Sequence, residues 1–448
     1  MTALPDGKLV AFYGDDFTGS TDVMEVLTFA GLPTVLFLDV PSPADLAGFA
    51  DYRGIGIAGT ARGRSPAWMR ANLAPALQAL DALGAPVLHY KVCSTFDSSP
   101  EIGSIGCALD IGLAATRRDW CAMVVAAPAL RRYQAFGNLF ASVDGEPYRL
   151  DRHPTMSRHP VTPMGEADLR WHLAQQTSEP VALVDLVALK QGRGAAALDG
   201  ARTALFDVID DETLAETGRL IWTRRGGGVF AVASSGLEYA LVAHWRAARL
   251  LRPAPAPRAR GPVERLLVVS GSCSPGTAAQ IAWAVGQGFV PIRLDVLAAI
   301  DPARARGEID RAVAAACETL VEGRDPLVFS AEGPLDPAIG VLRDAAARGG
   351  QPAEALQRAV AAALGEVLAG VVARAGLGRV LVAGGDTSGE ATGRLGIYAL
   401  EAVMPLAPGG PLCVAHRRGR PAIEIVLKGG QIGGADFFGR AKAGVPPG

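Results

Sequence analysis

Short runs rich in branched and aromatic residues alternate with longer amphipathic stretches along almost the whole chain, and this alternation constrains the fold more than any other feature. A chain that repeatedly writes strand, helix, strand builds βαβ units around a mainly parallel sheet. KLVAFY (Lys8 to Tyr13) is the first strand expected. The stretch after it sets Val23, Met24, Leu27 and Ala30 on one helical face and is closed by Gly31 and Pro33. Further strands are expected at PTVLFL from Pro33, PVLHYKV from Pro86, WCAMVVAA from Trp120, TALFDVI from Thr203 and GVFAVAS from Gly228.

The pattern breaks near Leu251. RPAPAPRARGP (Arg252 to Pro262) has no apolar period, and its prolines favour an extended chain. The alternation then restarts with RLLVVS, VPIRLD, PLVFSA, RVLVAGG and IEIVLK, separated by Ala-rich helical segments such as Pro352 to Ala375. A chain of 448 residues suits two cores better than one. The expected architecture is therefore α/β in two domains, each a mainly parallel β-sheet flanked by helices. Their expected bounds are 1–251 and 263–448, joined by a linker at 252–262. No sequence repeat relates the halves.

A net charge of −2 gives no broad electrostatic attraction to nucleic acid or to an anionic membrane, so any bound anion must be held by a local site. The six residues from Leu9 to Gly14 are too short an apolar run for a signal peptide or a membrane span. The six cysteines are scattered without a C-x-x-C pair, which fits reduced thiols in the cytoplasm better than a disulfide framework or a zinc site. His153 and His159 share the stretch DRHPTMSRHPVTPM, whose prolines oppose a helix that would converge them on a metal, and no metal site is expected.

Chemistry concentrates at strand ends. GDDFTGSTD (Gly14 to Asp22) runs from the first strand into the first helix, where open α/β sheets bind ligands. Asp15, Asp16 and Thr18 offer carboxylates and a hydroxyl, and Gly19 permits close backbone approach. One aspartate suffices to cap a helix, so two exceed that need. KVCSTFDSSPEIGSIG (Lys91 to Gly106) combines Lys91 with Ser94, Thr95, Asp97, Ser98 and Ser99, a set able to match a polyhydroxy acid. A hydroxyl-rich turn with an N-cap is the plainer reading of that loop. Arg62, in the segment from Thr60 to Ser65, adds a guanidinium fork for a carboxylate.

Three Gly/Ser loops lie beyond the linker. SGSCSPGT has Gly271 and Gly276 at P-loop spacing, but Thr277 replaces the lysine, so it is no true Walker motif. Ser270, Gly271 and Ser272 remain candidates for a phosphate contact. AGGDTSGEATG offers Gly384 and Gly385 for close approach, Asp386 for magnesium, and Thr387 at a helix start. LKGGQIGGADFF follows a strand with Lys428, Gly429 and Gly430. GIGIAG (Gly54 to Gly59) matches G-x-G-x-x-G, yet its isoleucines alternate as in a strand and no acidic residue follows on the next strand. An NAD-dependent sugar-acid dehydrogenase is the alternative that motif raises, and a non-catalytic relative that binds the same ligands is another.

In this order, GDDFTGSTD, KVCSTFDS, HPVTPM, SGSCSPGTAAQ, GGDTSG and LKGGQIGGADFF resemble the four-carbon acid sugar kinase family, whose members phosphorylate threonate, erythronate or 3-oxo-tetronate with ATP. The likeness spans nearly the whole chain. STFDS is closer to the 3-oxo-tetronate kinases than to relatives with an STLRG-type loop. The chain departs from the family where SSPEIGSIG, with Ser104, replaces a shorter run into G-N-I-G, where Asp386 replaces the glutamate of GGET, and where LKGGQ replaces LKSGN.

The resemblance implies an N-terminal domain for the sugar acid and a C-terminal domain for ATP, with Mg²⁺ carried mainly by the nucleotide. Asp16 is then expected to take or orient the acceptor's proton, assisted by Asp15. Thr18, Gly19, Arg62, Lys91, Ser94, Thr95, Asp97 and His159 are expected around the acid. Ser270, Gly271, Ser272, Gly384, Gly385, Asp386, Thr387 and Gly430 are expected around the nucleotide. Asp386 is the rival base, because its Gly-Gly-Asp turn is similar to a ribokinase-type anion hole. The expected partners are the acid sugar and ATP, with neither nucleic acid nor membrane, and a homodimer is compatible with them.

Overall fold

The computed structural model describes residues 3–143, 145–350 and 352–446. The chain divides into two compact units, Met1–Pro255 and Ala256–Gly448.

In the first unit the strands β1 (Val10–Gly14), β2 (Thr34–Phe37), β3 (Gly54–Ala58), β4 (Val87–Lys91) and β5 (Cys121–Met123) are followed by β6 (Arg132–Ala135), β7 (Asn138–Val143) and β8 (Glu146–Arg149). Then come β9 (Val181–Val184), β10 (Thr203–Phe206) and β11 (Val229–Ala233). The sheet order is β2-β3-β1-β4-β11-β5-β10-β9, parallel throughout. Every residue of β1, β4 and β11 is buried, as a strand covered by helices on both faces requires. β6, β7 and β8 form a separate antiparallel sheet. The sequence pattern did not announce it, because these strands are short and only partly buried.

GIGIAG is indeed a strand, β3. A β-carbon on Gly56 would lie 2.1 Å from the Phe12 ring, and one on Gly59 would lie 2.1 Å from the Tyr13 ring. These glycines make room for aromatic packing within the sheet, which accounts for the motif without a dinucleotide.

The second unit contains β12 (Leu267–Ser270), β13 (Val290–Arg293), β14 (Pro326–Phe329), β15 (Arg379–Ala383), β16 (Ile397–Met404), β17 (Leu412–Arg417) and β18 (Arg420–Lys428). Their order is β13-β14-β12-β15-β18-β17-β16, parallel from β13 to β18 and antiparallel beyond. The antiparallel strands β16 and β17 were not anticipated. The helix Ala353–Ala375 is long and apolar enough to cross a bilayer by length and composition. Here it buries Leu356, Val360, Leu364, Val367, Leu368 and Val371 along one side, the spacing of a core-facing stripe.

The two units share a topology that their sequences conceal. The first strand of each (β1, β12) lies between the third (β3, β14) and the fourth (β4, β15), with the second (β2, β13) outside the third. Connections leave the first strand toward one side and the fourth toward the other. A crevice therefore opens at their carboxyl ends, where such sheets bind ligands. The Asp15–Asp16 turn and the Ser270–Thr277 loop occupy these equivalent positions.

Candidate active site

At the carboxyl end of β1, Asp16 is the N-cap of the helix Phe17–Phe29, accepting from the Gly19 amide at 3.0 Å and the Thr18 hydroxyl at 2.9 Å. The cap is real, but it is not the carboxylate's only engagement. Arg62 Nη2 donates to Asp16 Oδ1 at 2.7 Å and to Asp15 Oδ1 at 2.7 Å, while Arg62 Nε donates to Asp15 Oδ2 at 3.1 Å. Arg62, assigned from sequence to a ligand carboxylate, is thus committed to the two aspartates on this side of its fork.

Asp15 is almost fully buried, and burial raises its pKa against the pull of Arg62, with the Asp16 charge adding to the rise. Asp16 also suffers burial. There the Arg62 and Lys91 charges, the Thr18 hydroxyl and the Gly19 amide prevail, so its pKa falls below the ordinary carboxylate value. The adjacent acids are therefore pushed in opposite directions. Lys91, buried at the end of β4, rests against Gly19: a β-carbon there would stand 2.6 Å from Lys91 Nζ and 2.2 Å from Asp16 Oδ1. That crowding is the reason for glycine at this position.

The loop after Lys91 is organised around Phe96, which adopts φ +57° although it is not glycine and whose ring is fully buried. Strain of this kind persists only where surrounding contacts over-determine the chain. The turn brings the Thr95 hydroxyl onto Asp97 Oδ1 and beside Cys93 Sγ at 2.9 Å. Ser94 is half-exposed beside them. Behind the loop, Ser98 Oγ meets His172 Nε2 at 2.8 Å, and Gln176 Nε2 reaches Ser98 Oγ at 3.0 Å. Gln176 Oε1 also accepts from Ser104 Oγ at 3.3 Å and the Gly106 amide at 3.2 Å. His172 and Gln176 were missed from sequence because they lie about seventy positions downstream of the loop they hold. His159 is engaged locally, its Nδ1 accepting from the Thr162 amide at 3.1 Å.

In the second unit, Ser270 is fully buried at the end of β12, and Ser274 caps the helix Pro275–Gly286. Three loops interlock here. Ser274 and Thr277 both donate to the Gly430 carbonyl, at 2.5 and 3.0 Å, and Thr277 Oγ1 reaches Ser272 Oγ at 3.0 Å. A β-carbon on Gly271 would lie 2.2 Å from Thr387 Oγ1. Gly384, at φ +118°, turns the chain into the helix Gly385–Arg394, whose N-terminus has no side-chain cap and leaves its first amides for an anion.

Lys428, missed as a site residue, is fully buried under these loops. It donates to Thr277 Oγ1 at 3.2 Å and the Gly430 carbonyl at 3.4 Å, and burial lowers its pKa to about 8. Beside the loops is a cavity of about 400 Å³. Its wall is largely apolar, from Val296, Ile339, Leu342 and Val360, and Gly271, Cys273, Asp386 and Thr387 also line it. The apolar wall was illegible in sequence because it comes from three helices and two loops.

Residues 10–241 match the model of a sugar-binding N-terminal domain, and residues 267–438 match that of a nucleotide-binding C-terminal domain. The chain is 53% identical to a 3-oxo-isoapionate kinase of Paraburkholderia graminis, covering 99% of this chain and 96% of that protein. It is 35% identical to a 3-oxo-tetronate kinase of Methylobacterium radiotolerans, covering 95% and 97%. A Salmonella typhimurium LT2 structure, provisionally described as a tRNA synthase, superposes with a TM-score of 0.78 at 26% identity, covering 97% of this chain and 98% of that one. Both relatives are kinases, and the chain is accordingly a kinase, a phosphotransferase with an alcohol group as acceptor. The chain belongs to the four-carbon acid sugar kinase family.

Proposed function

We propose that the enzyme transfers the γ-phosphate of ATP to a hydroxyl of a small 3-oxo sugar acid, the substrate class named for both relatives. The observation that carries this reading is the clamp of Asp15 and Asp16 by Arg62 at the end of β1, beside a loop offering hydroxyls and a buried lysine. A short polyol acid needs such mixed partners for its charge and its hydroxyls.

Phosphoryl transfer requires the acceptor oxygen in line with the γ-phosphorus and its proton removed as the bond forms. The acceptor oxygen bonds to phosphorus, the bond to the β-phosphate oxygen breaks, and ADP leaves. In this reading the proton passes to Asp16, which Arg62, Thr18 and Gly19 fix in place, and Asp15 assists through the shared guanidinium. Lys91 lies close enough to Asp16 to offset negative charge arriving there. Thr95, Asp97 and Ser94 read the hydroxyls, and His159 lies on a further loop of the same domain.

The nucleoside fits the largely apolar cavity, and its phosphates fit the amides of Ser272, Gly385 and Thr387. The Gly271 and Gly384 amides are taken by the Ala383 and Lys428 carbonyls, so these two glycines serve close approach, while Ser270, Gly430 and Lys428 shape the loops from beneath. Magnesium, carried mainly by the phosphates, neutralises their oxygens, and exposed Asp386 is the carboxylate suited to share it. A cytoplasmic homodimer completes the reading, its assembly to be measured by sedimentation velocity.

The test is a coupled ADP-release screen with Mg·ATP across threonate, erythronate and 3-oxo acids, with NAD reduction followed in parallel. Release of ADP with one of these acids, accompanied by a phosphorylated product, is expected. No release with any of them would overturn the substrate class.

A further inference from the structure

Among the described residues, one cation near the Ser94–Asp97 loop makes no salt bridge. Arg132 opens β6, on the small antiparallel sheet, and Asp97 of that loop is the carboxylate that acts on it electrostatically. Among the described residues no carboxylate lies within salt-bridge distance of it. Its Nη1 donates to the carbonyls of Leu130, Arg131 and Ser142, at 3.1, 3.2 and 3.4 Å. These bonds aim the guanidinium without pairing it to a carboxylate. Nε is buried and has no hydrogen-bond partner among the described residues.

A buried donor without an acceptor is costly, and more so when it belongs to a charged group. Native proteins rarely leave one without a use. Burial depresses the Arg132 pKa, and the Asp97 charge offsets that fall only in part.

The hairpin that carries Arg132 is fixed. Asp207, fully buried beyond β10, accepts from the amides of Phe136 and Gly137, from the Gln134 side chain and from the Leu186 amide. The turn between β6 and β7 is thereby tied to the main sheet, and Arg132 is presented from a rigid support rather than a free loop.

The other two cations are differently placed. Arg62 spends its Nε and Nη2 on Asp15 and Asp16, and Lys91 lies against Gly19 at the Asp16 end. We infer that Arg132 is the anchor for the substrate's carboxylate, and that it sets the enzyme's preference for acids over neutral polyols. The acid then lies along the Ser94–Asp97 loop, with its carboxylate at Arg132 and its reacting hydroxyl at Asp16. Arg62 serves the aspartates, and Lys91 serves the reacting end. This inference rests on the kinase reading above and extends it by assigning the ends of the substrate.

The experiment compares the acid turned over best in the ADP-release screen with its neutral analogue, which carries CH₂OH in place of the carboxylate (an alditol, or a ketose where the acid is a 3-oxo acid). In the parent, kcat/KM should favour the acid strongly. Arg132→Gln should lower kcat/KM for the acid on the order of 10²-fold or more, the scale for removing one partner of a buried charge pair. It should leave the neutral analogue within a few fold, and ADP affinity unchanged by calorimetry. Arg132→Lys, which keeps the charge but not the planar fork, should fall between the two. If Arg132→Gln fails to fold, the same ratio of acid to neutral analogue is read from Arg132→Lys. A parent that phosphorylates no acid would overturn the kinase reading itself. An active parent whose variants keep its ratio of acid to neutral analogue, or lose both substrates equally, would overturn the role of Arg132 alone.

Discussion

Arg62 Nη2 stands 2.7 Å from Asp15 Oδ1 and 2.7 Å from Asp16 Oδ1, so one guanidinium nitrogen joins two neighbouring carboxylates whose pKa values are displaced in opposite directions. Asp15 is the buried anchor of this arrangement, and Asp16 is the partly open end that a ligand can reach.

Asp16→Asn keeps the shape of the side chain and an oxygen for the Gly19 amide, but removes the charge. It should lower kcat on the order of 10²–10⁴-fold, the range for losing a positioned acid–base group, with ADP affinity unchanged. Steady-state kinetics with the preferred acid checks it. Activity within a few fold of the parent would reduce Asp16 to a helix cap and move attention to Asp386.

Burial holds the His172 imidazole neutral, with its pKa down at about 4. In the unfolded chain the same ring takes a proton below roughly 6.5. The stability gained from the neutral ring is therefore complete above that value and is lost as pH falls toward 4, by roughly 2 kcal/mol at pH 5. His172→Gln retains polar reach toward Ser98 but cannot titrate. Urea unfolding at about pH 7.5 and pH 5 should show a smaller acid loss in the variant than in the parent, and equal losses would clear His172 as the cause.

Lys428 is half protonated near pH 8 because burial opposes its charge. Nucleotide phosphates arriving above it favour the ammonium form and so raise its pKa in the complex. ADP binding at about pH 8.5 should therefore take up protons, which calorimetry detects by comparing buffers of different ionisation enthalpy. Lys428→Met should abolish that uptake, and uptake unchanged in the variant would place the titrating group elsewhere.

The segment from Arg252 to Pro262 has no regular secondary structure and is largely exposed. Its later part is tied down, since the Arg260 amide donates to the Gly444 carbonyl at 2.9 Å and Arg260 Nε to Glu424 Oε1 at 2.8 Å. Limited trypsin should cut first after Arg258, because Arg252 precedes a proline. It should release two resistant fragments, read by intact mass. Early cuts spread through the βαβ layers would contradict two independently stable domains.

The repeated alternation of strand and helix determined the α/β class, and each chemical motif could be placed at a strand end from local sequence, because period and turn chemistry act over a few residues. The GIGIAG strand was legible for the same reason. What only the tertiary structure decided are relations between distant segments. Sequence allotted Arg62 to a ligand, but the fold gives its fork to Asp15 and Asp16, some forty-seven positions away. It buries Lys428 beneath a loop cap 151 positions earlier and sets Arg132, on a small sheet the pattern did not reveal, beside Asp97. The shared strand order of the two units was equally hidden. Topology is set by which strands pair, and many apolar sequences satisfy the same pairing, so two halves adopt one arrangement without any visible repeat.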